Sequence, residues 1–113
     1  MPDGNIKMLE NIELSRLVNF IVSTVSPKKI ILFGSRARGD HNEDSDYDIL
    51  LIMDTSFNRI DLISSLYSAL RQTDLTKNID FLAISSDRYD ELKSDIGYIY
   101  KVIEREGKVV YVK

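Results

Sequence analysis

Residues 34–48 combine glycine, serine, arginine and aspartate at a spacing that could do chemistry. Gly34 and Ser35 follow one apolar run, and Asp46 and Asp48 stand at the start of the next. Side chains two apart in a strand share a face, so the two carboxylates should project together, with backbones roughly 6 to 7 Å apart. Such a pair repels unless a cation lies between its members, and a divalent cation is the usual solution. The spacing therefore predicts a metal site.

The turn at Gly34 and Ser35 is suited to holding phosphate. Glycine lets a backbone approach a ligand closely, and amides at the start of a helix favour anions. Ser35 adds a hydroxyl donor, and the guanidinium of Arg36 matches phosphate, although pairing with nearby acids is an alternative for it. A triphosphate on this turn would bring its metal ions to Asp46 and Asp48, and Mg²⁺ prefers such a sparse set of carboxylates completed by water and phosphate oxygens.

A third acid, Asp80, lies inside an apolar run. A lone acid there is costly unless it is paired, bound to metal or exposed. Two metal ions acting on one phosphorus call for a third carboxylate, and Asp80 is the best candidate. If its strand neighbours the strand of Asp48, the three acids share one surface. A helix cap or an ion pair with a neighbour such as Lys77 is the alternative.

The spacing of apolar residues predicts the elements that must position these groups. Helical periodicity favours helices near both ends of the chain, and short β-branched or aliphatic runs favour strands between them. The predicted order is helix 10–25, strand 28–33, helical turn 35–38, loop 40–45, strand 46–53, helix to about 72, strand 78–84, helix through 92, helix 96–106 and strand 108–112.

Length and composition narrow the class of protein. A chain of 113 residues with 43% hydrophobic residues fits one domain, 1–113, with a single core. The net charge of −3 argues against non-specific binding to duplex DNA. There is no cysteine, which excludes disulfides and thiolate metal sites. Because neither a signal peptide nor a run long enough to cross a membrane is present, we expect a cytoplasmic protein.

A Gly-Ser turn, a spacer, an Asp-x-Asp pair and a later single Asp between apolar residues together resemble the signature of the DNA polymerase β-like nucleotidyltransferase superfamily. The small size and the wording GSRARGD…SDYD resemble its minimal nucleotidyltransferases, often the MNT partner in HEPN/MNT toxin–antitoxin pairs. The resemblance covers residues 28–84 with specific motifs. It implies the nucleotidyltransferase fold, an α+β arrangement in two layers with helices packed on a mixed β-sheet.

The resemblance also implies a mechanism. Two Mg²⁺ ions would be held on ATP or another nucleoside triphosphate while an acceptor hydroxyl attacks the α-phosphorus and pyrophosphate leaves. Asp80 would assist loss of the hydroxyl proton. The implied residues are Asp46, Asp48 and Asp80 as catalytic groups and metal ligands, and Gly34, Ser35 and Arg36 as ligands of the β- and γ-phosphates.

The short chain leaves little room for a second domain that would hold a large acceptor. We therefore expect the acceptor to be held by another protein, or to be that protein. By resemblance, it would be a HEPN toxin that receives AMP on a tyrosine hydroxyl, which would make this chain its antitoxin. Two alternatives stay open: an antitoxin that acts by binding alone, and nucleotidyl transfer to a small molecule. The sequence leaves the oligomeric state open, with a homodimer or a heterocomplex both possible.

Overall fold

The computed structural model describes residues 11–75 and 78–113, which form five helices and four strands. In chain order these are α1 (Ile12–Val25), β1 (Lys29–Phe33), α2 (Ser35–Arg38), β2 (Tyr47–Met53), α3 (Arg59–Leu70), β3 (Ile79–Ser85), α4 (Ser86–Leu92), α5 (Ile99–Glu106) and β4 (Lys108–Val112). The predicted order of elements is confirmed. The predicted first residue of α1 and Lys77 lie outside the described residues.

Local side-chain chemistry sets the ends of the helices. Asn11 caps α1 by accepting a hydrogen bond from the backbone N–H of Leu14 at 3.0 Å. Asn58 caps α3 in the same way through the N–H of Asp61. Ser85 caps α4 by accepting a hydrogen bond from the backbone N–H of Arg88 at 3.2 Å. Helix α5 begins three residues later than predicted, because Ile96 is exposed on the connection that precedes it.

The four strands form one mixed sheet in the order β3-β2-β1-β4. Strand β1 runs antiparallel to both β2 and β4, whereas β2 and β3 are parallel. Parallel neighbours need a crossover connection, and α3 lies within the one between β2 and β3. The strand of Asp80 is therefore the neighbour of the strand that carries Asp48, as required for the acids to share one surface.

Both faces of the sheet are covered. Leu51 packs with Leu17 of α1 and Leu66 of α3 in one buried cluster. Leu50, the residue before Leu51, packs in a second cluster with residues that include Ile103 of α5. The α+β class and the mixed sheet are confirmed, but the layers are three where two were predicted. The apolar run of β2 has no alternation, which is the pattern of a strand buried on both faces.

No helix within residues 11–75 and 78–113 has the combination of length and hydropathy that crossing a lipid bilayer requires.

Candidate active site

Three strands bring the predicted acids to one end of the sheet. Strand β1 ends at this point, whereas β2 and β3 begin there. Asp48 is paired with Phe33 of β1 on one side and with Asp80 of β3 on the other. Residues paired across strands point to the same face, so the carboxylates of Asp48 and Asp80 are neighbours. Asp46 lies two residues before Asp48, in the connection that leads into β2.

The environment of Asp48 includes the charges of the other two acids. Burial raises the pKa of the half-buried Asp48 carboxyl, and the negative charges of Asp80 and Asp46 raise it further. Arg38 works in the opposite direction and lowers this pKa. Asp46 and Asp80 themselves are exposed. The acids therefore form one negatively charged corner in which Asp48 is the innermost member.

The chemistry of this corner fits a hard cation such as Mg²⁺, which takes oxygen ligands and usually binds one or two carboxylates while keeping several waters. Within the described ranges, no three His, Asp or Glu side chains stand close enough together to form a complete metal-binding group. The corner thus offers suitable donors in one neighbourhood without a closed set of ligands. A cation there would offset the repulsion that raises the pKa of Asp48.

Gly34 lies directly against this corner. Its φ is +72°, a conformation that favours glycine, and a Cβ at this position would stand 2.1 Å from Oδ2 of Asp48. The carbonyl oxygen of Gly34 accepts hydrogen bonds from the N–H groups of Ala37 and Arg38, both at 3.1 Å, which begins α2. The backbone of the Gly34 turn is thereby held beside the innermost carboxylate. Ser35 is the next residue and is half-buried at the same end of the sheet.

Arg36 has a different set of partners from those that the sequence suggested. Its Nε donates to the carbonyl oxygen of Ser45 at 3.0 Å, and its Nη2 donates to those of Asn42 and Glu43 at 3.4 and 3.3 Å. Its guanidinium also lies over the ring of Tyr47, 4.2 Å from the centroid. A phosphate role for Arg36 stays a prediction, beside these contacts with the protein itself.

The site residues predicted from the sequence leave out Arg38, yet its charge lowers the pKa of Asp48. Its Nε donates to Oδ2 of Asp40 at 3.1 Å, and its Nη1 lies 4.0 Å from Oε1 of Glu106. Nothing in the spacing of the sequence points to the contact with α5. Arg38, the cation that acts on Asp48, is thus also paired with the carboxylates of Asp40 and Glu106.

With this geometry established, comparison with known proteins places the chain in a family. The family model for polymerase beta nucleotidyltransferases matches residues 15–113. The chain belongs to this family, and the recognition made from the Gly-Ser and Asp-x-Asp motifs is confirmed.

A relative from Methanocaldococcus jannaschii, which carries the provisional name protein adenylyltransferase, is 60% identical over 40 residues. These residues are 34% of this chain and 40% of that protein, so the match spans less than half of the relative. The match is close but local, and it adds a named relative within the family.

Three solved structures share the fold at low sequence identity. A provisionally named nucleotidyltransferase from Sulfolobus solfataricus has a TM-score of 0.60 at 21% identity, covering 98% of this chain and 86% of its own. A toxin–antitoxin with AMP-PNP has a TM-score of 0.58 at 22% identity, covering 90% and 74%. A mutant of the toxin–antitoxin MntA-HpeT has a TM-score of 0.56 at 20% identity, covering 88% and 73%. These likenesses establish the fold.

Proposed function

We propose that this chain is a metal-dependent nucleotidyltransferase that moves AMP from ATP onto a hydroxyl of another protein. The observation that carries the proposal is the register of β2 and β3, which pairs Asp48 with Asp80 beside the close turn at Gly34. Two carboxylates in register with a third just upstream repel one another, and a purely structural role for the sheet does not require them. The repulsion is offset when the carboxylates bind metal ions, which in turn bind phosphate.

In this proposal, Asp46, Asp48 and Asp80 supply carboxylate oxygens for two Mg²⁺ ions. When bound, Mg²⁺ would neutralise charge on the triphosphate and on the attacking oxygen. The backbone at Gly34 lets the phosphates approach, and Ser35 donates its hydroxyl to them.

Asp80 is exposed and is therefore open to an acceptor. The acceptor oxygen forms a bond to the α-phosphorus, and the bond from that phosphorus to the bridging oxygen breaks. The hydroxyl proton passes to Asp80, and pyrophosphate leaves. The chain contributes chiefly by holding the reacting groups in line.

The acceptor and the donor are proposed from the relatives. One relative is provisionally named as a protein adenylyltransferase, and one structural neighbour is a toxin–antitoxin with AMP-PNP. The other toxin–antitoxin is a mutant with two Asp-to-Glu changes two positions apart, which is the spacing of Asp46 and Asp48. These points support ATP as donor and a toxin as acceptor. We propose that the acceptor is a HEPN toxin, which this chain modifies on a tyrosine. The chain would then be a single domain that acts in the cytoplasm as the antitoxin of that toxin.

Transfer of label tests the proposal. The purified chain is incubated with α-labelled ATP, Mg²⁺ and the protein encoded beside it, and label on that protein is measured. Asp48→Asn and Asp80→Asn should each lower labelling by about 100-fold or more, because the metal-binding charge is lost. Asp90→Asn is the matched control, since the exposed Asp90 forms a surface ion pair with Lys93 at 3.5 Å.

The outcomes separate the candidate functions. Equal labelling by the wild type and both acid variants would contradict the assignment of the site. Loss of toxin activity without any label, equally with the wild type and the variants, would instead support an antitoxin that acts by binding alone.

A further inference from the structure

We propose that Arg36 is a positioning residue that holds the peptide group before Asp46, rather than a ligand of the triphosphate. Its catalytic consequence rests on the function proposed above, whereas its structural part stands on contacts within the protein. Arg36 would act on the reaction only through Asp46, by limiting where that carboxylate can lie.

The guanidinium of Arg36 is bound to the connection that carries Asp46. The carbonyl of Ser45 belongs to the peptide group that ends at the nitrogen of Asp46, and this carbonyl accepts from Nε at 3.0 Å. The carbonyls of Asn42 and Glu43 accept from Nη2 of the same side chain. Three carbonyls of one connection therefore accept hydrogen bonds from one cation, and the planar guanidinium is suited to donating several at once.

Tyr47, the residue that follows Asp46 in the chain, also contacts the guanidinium of Arg36. The ring of Tyr47 is 2% exposed and lies under the guanidinium of Arg36, 4.2 Å from it. The phenol hydroxyl donates to Oε1 of Glu13 on α1. Arg36 thus contacts the backbone one residue before Asp46 and the side chain one residue after it, and Tyr47 is itself anchored to α1.

Further hydrogen bonds hold the backbone on both sides of Asp46. The hydroxyl of Ser45 accepts from the N–H of Asn42 at 3.0 Å, and the N–H of Ser45 donates to the carbonyl of Asn42 at 3.2 Å. The N–H of Tyr47 donates to the carbonyl of Asn78 at 3.0 Å, which ties the start of β2 to the start of β3. The guanidinium of Arg36 links these contacts, because it binds the carbonyls of Asn42 and Ser45 and lies over Tyr47. Its removal would leave them unconnected.

The substitution Arg36→Lys separates the two roles. Lysine keeps the positive charge that a phosphate ligand needs but lacks the planar fork that binds several carbonyls. The matched control is Arg59→Lys, because Nε of Arg59 also donates to a backbone carbonyl, that of Ala83 at 3.1 Å, in the half of β3 away from Asp80. Each variant is compared with the wild type at a temperature that lies equally far below the melting temperature of each protein.

Two measurements need no catalysis. Amide hydrogen exchange at Ser45 and Tyr47 should rise by about tenfold in Arg36→Lys, because these two residues flank Asp46 and both contact Arg36. Titration with Mn²⁺ in the absence of nucleotide, followed by paramagnetic broadening at Asp46 and Asp48, should show binding about fivefold weaker. Arg59→Lys should change neither.

Kinetics then give a third comparison. Arg36→Lys should lower kcat by about tenfold with KM for ATP nearly unchanged, as expected for a misplaced metal ligand. A tenfold rise in KM with unchanged exchange and unchanged Mn²⁺ binding would overturn the proposal and make Arg36 a triphosphate ligand. If the wild type neither binds Mn²⁺ nor transfers label, the proposed function fails. Unaltered amide hydrogen exchange in Arg36→Lys would separately overturn the positioning role of Arg36.

Discussion

Gly34 and Asp48 are packed so closely that no other side chain fits between them. A Cβ at residue 34 would lie 2.1 Å from Oδ2 of Asp48 and 3.0 Å from its Cγ. The contact joins the turn after β1 to the innermost acid of the candidate site. Glycine at this position is therefore required by the neighbouring carboxylate as well as by the positive φ of the backbone.

The substitution Gly34→Ala should destabilise the protein and displace Asp48. We expect a loss of at least about 2 kcal/mol, because backbone strain and a steric clash act together. The control is Gly39→Ala, where φ is +91° but nothing lies within 4 Å of the added Cβ, so only strain remains. Urea denaturation measures both. Equal losses in the two variants would show that the clash with Asp48 is relieved without cost.

Replacing Asp48 by Asn should stabilise the protein at neutral pH while removing the proposed activity. The pKa of Asp48 is raised above its ordinary value of 3.8, so the folded protein keeps this proton to higher pH than the unfolded chain does. The free energy of unfolding therefore falls as pH rises above about 4, and the Asp48→Asn variant would not share that loss.

The gain is expected to be below about 1 kcal/mol, because the group is partly solvated. It should be present at pH 7 and vanish near pH 3, as measured by urea denaturation at both values. Asp90→Asn, which removes a surface ion pair, serves as the control. A variant less stable than the wild type at pH 7 would show that Asp48 is favourably paired in the folded protein.

Removing the hydroxyl of Tyr47 should alter the response to alkali. Burial and the hydrogen bond to Glu13 raise the pKa of Tyr47 to about 12 from 10.0. Neutral tyrosine is thus favoured in the fold, and its contribution to stability is complete below pH 10 and is lost as pH rises toward 12. Tyr47→Phe should cost about 1 kcal/mol at pH 7 and less at pH 11.

Denaturation of wild type and variant at the two pH values measures this difference. The exposed Tyr98 supplies the control, Tyr98→Phe, which is measured at the same two pH values. A constant difference for Tyr47→Phe across this range would contradict the linkage between Tyr47 and alkaline stability.

Gly107 should be intolerant of alanine for a reason unrelated to backbone conformation. Its φ of −73° suits any residue, but an added Cβ would lie 2.5 Å from the carbonyl oxygen of Ile103 and 2.7 Å from Cγ2 of Ile31. We expect Gly107→Ala to cost about 2 kcal/mol by forcing α5 away from β1. Gly97→Ala, with open space around residue 97, is the control in the same thermal melts. A melting temperature equal to that of Gly97→Ala would contradict the expected clash.

Much of this fold could be predicted because its elements are short, strongly patterned and bounded by capping residues. Helix α1 and strand β2 follow from the spacing of their apolar residues alone. The start of α5 was placed too early because Ile96 fits the helical period, although it lies 84% exposed outside the helix. The third layer was missed even though the unbroken apolar run of β2 is a sequence signal for burial on two faces.

The candidate site could be proposed from the sequence as a set of residue types but not as a set of contacts. The pairing of Asp48 with Asp80 depended on which strands are neighbours, and spacing along the chain leaves that open. The partners of Arg36 are backbone carbonyls, which every residue carries and no motif marks. The closeness of Gly34 to Asp48 is likewise a property of packing, so a glycine preference could be expected but its cause could not.

Under the proposed function, strand register makes catalytic competence and correct assembly of the sheet the same event. If β3 slipped by one residue against β2, Asp80 would turn toward the helices that cover the opposite face, and Phe81 would turn out of its buried cluster. Such a mispaired chain would lose its core and its chemistry together. Turnover per molecule would then report the fraction of chains whose sheet has closed in the proper alignment.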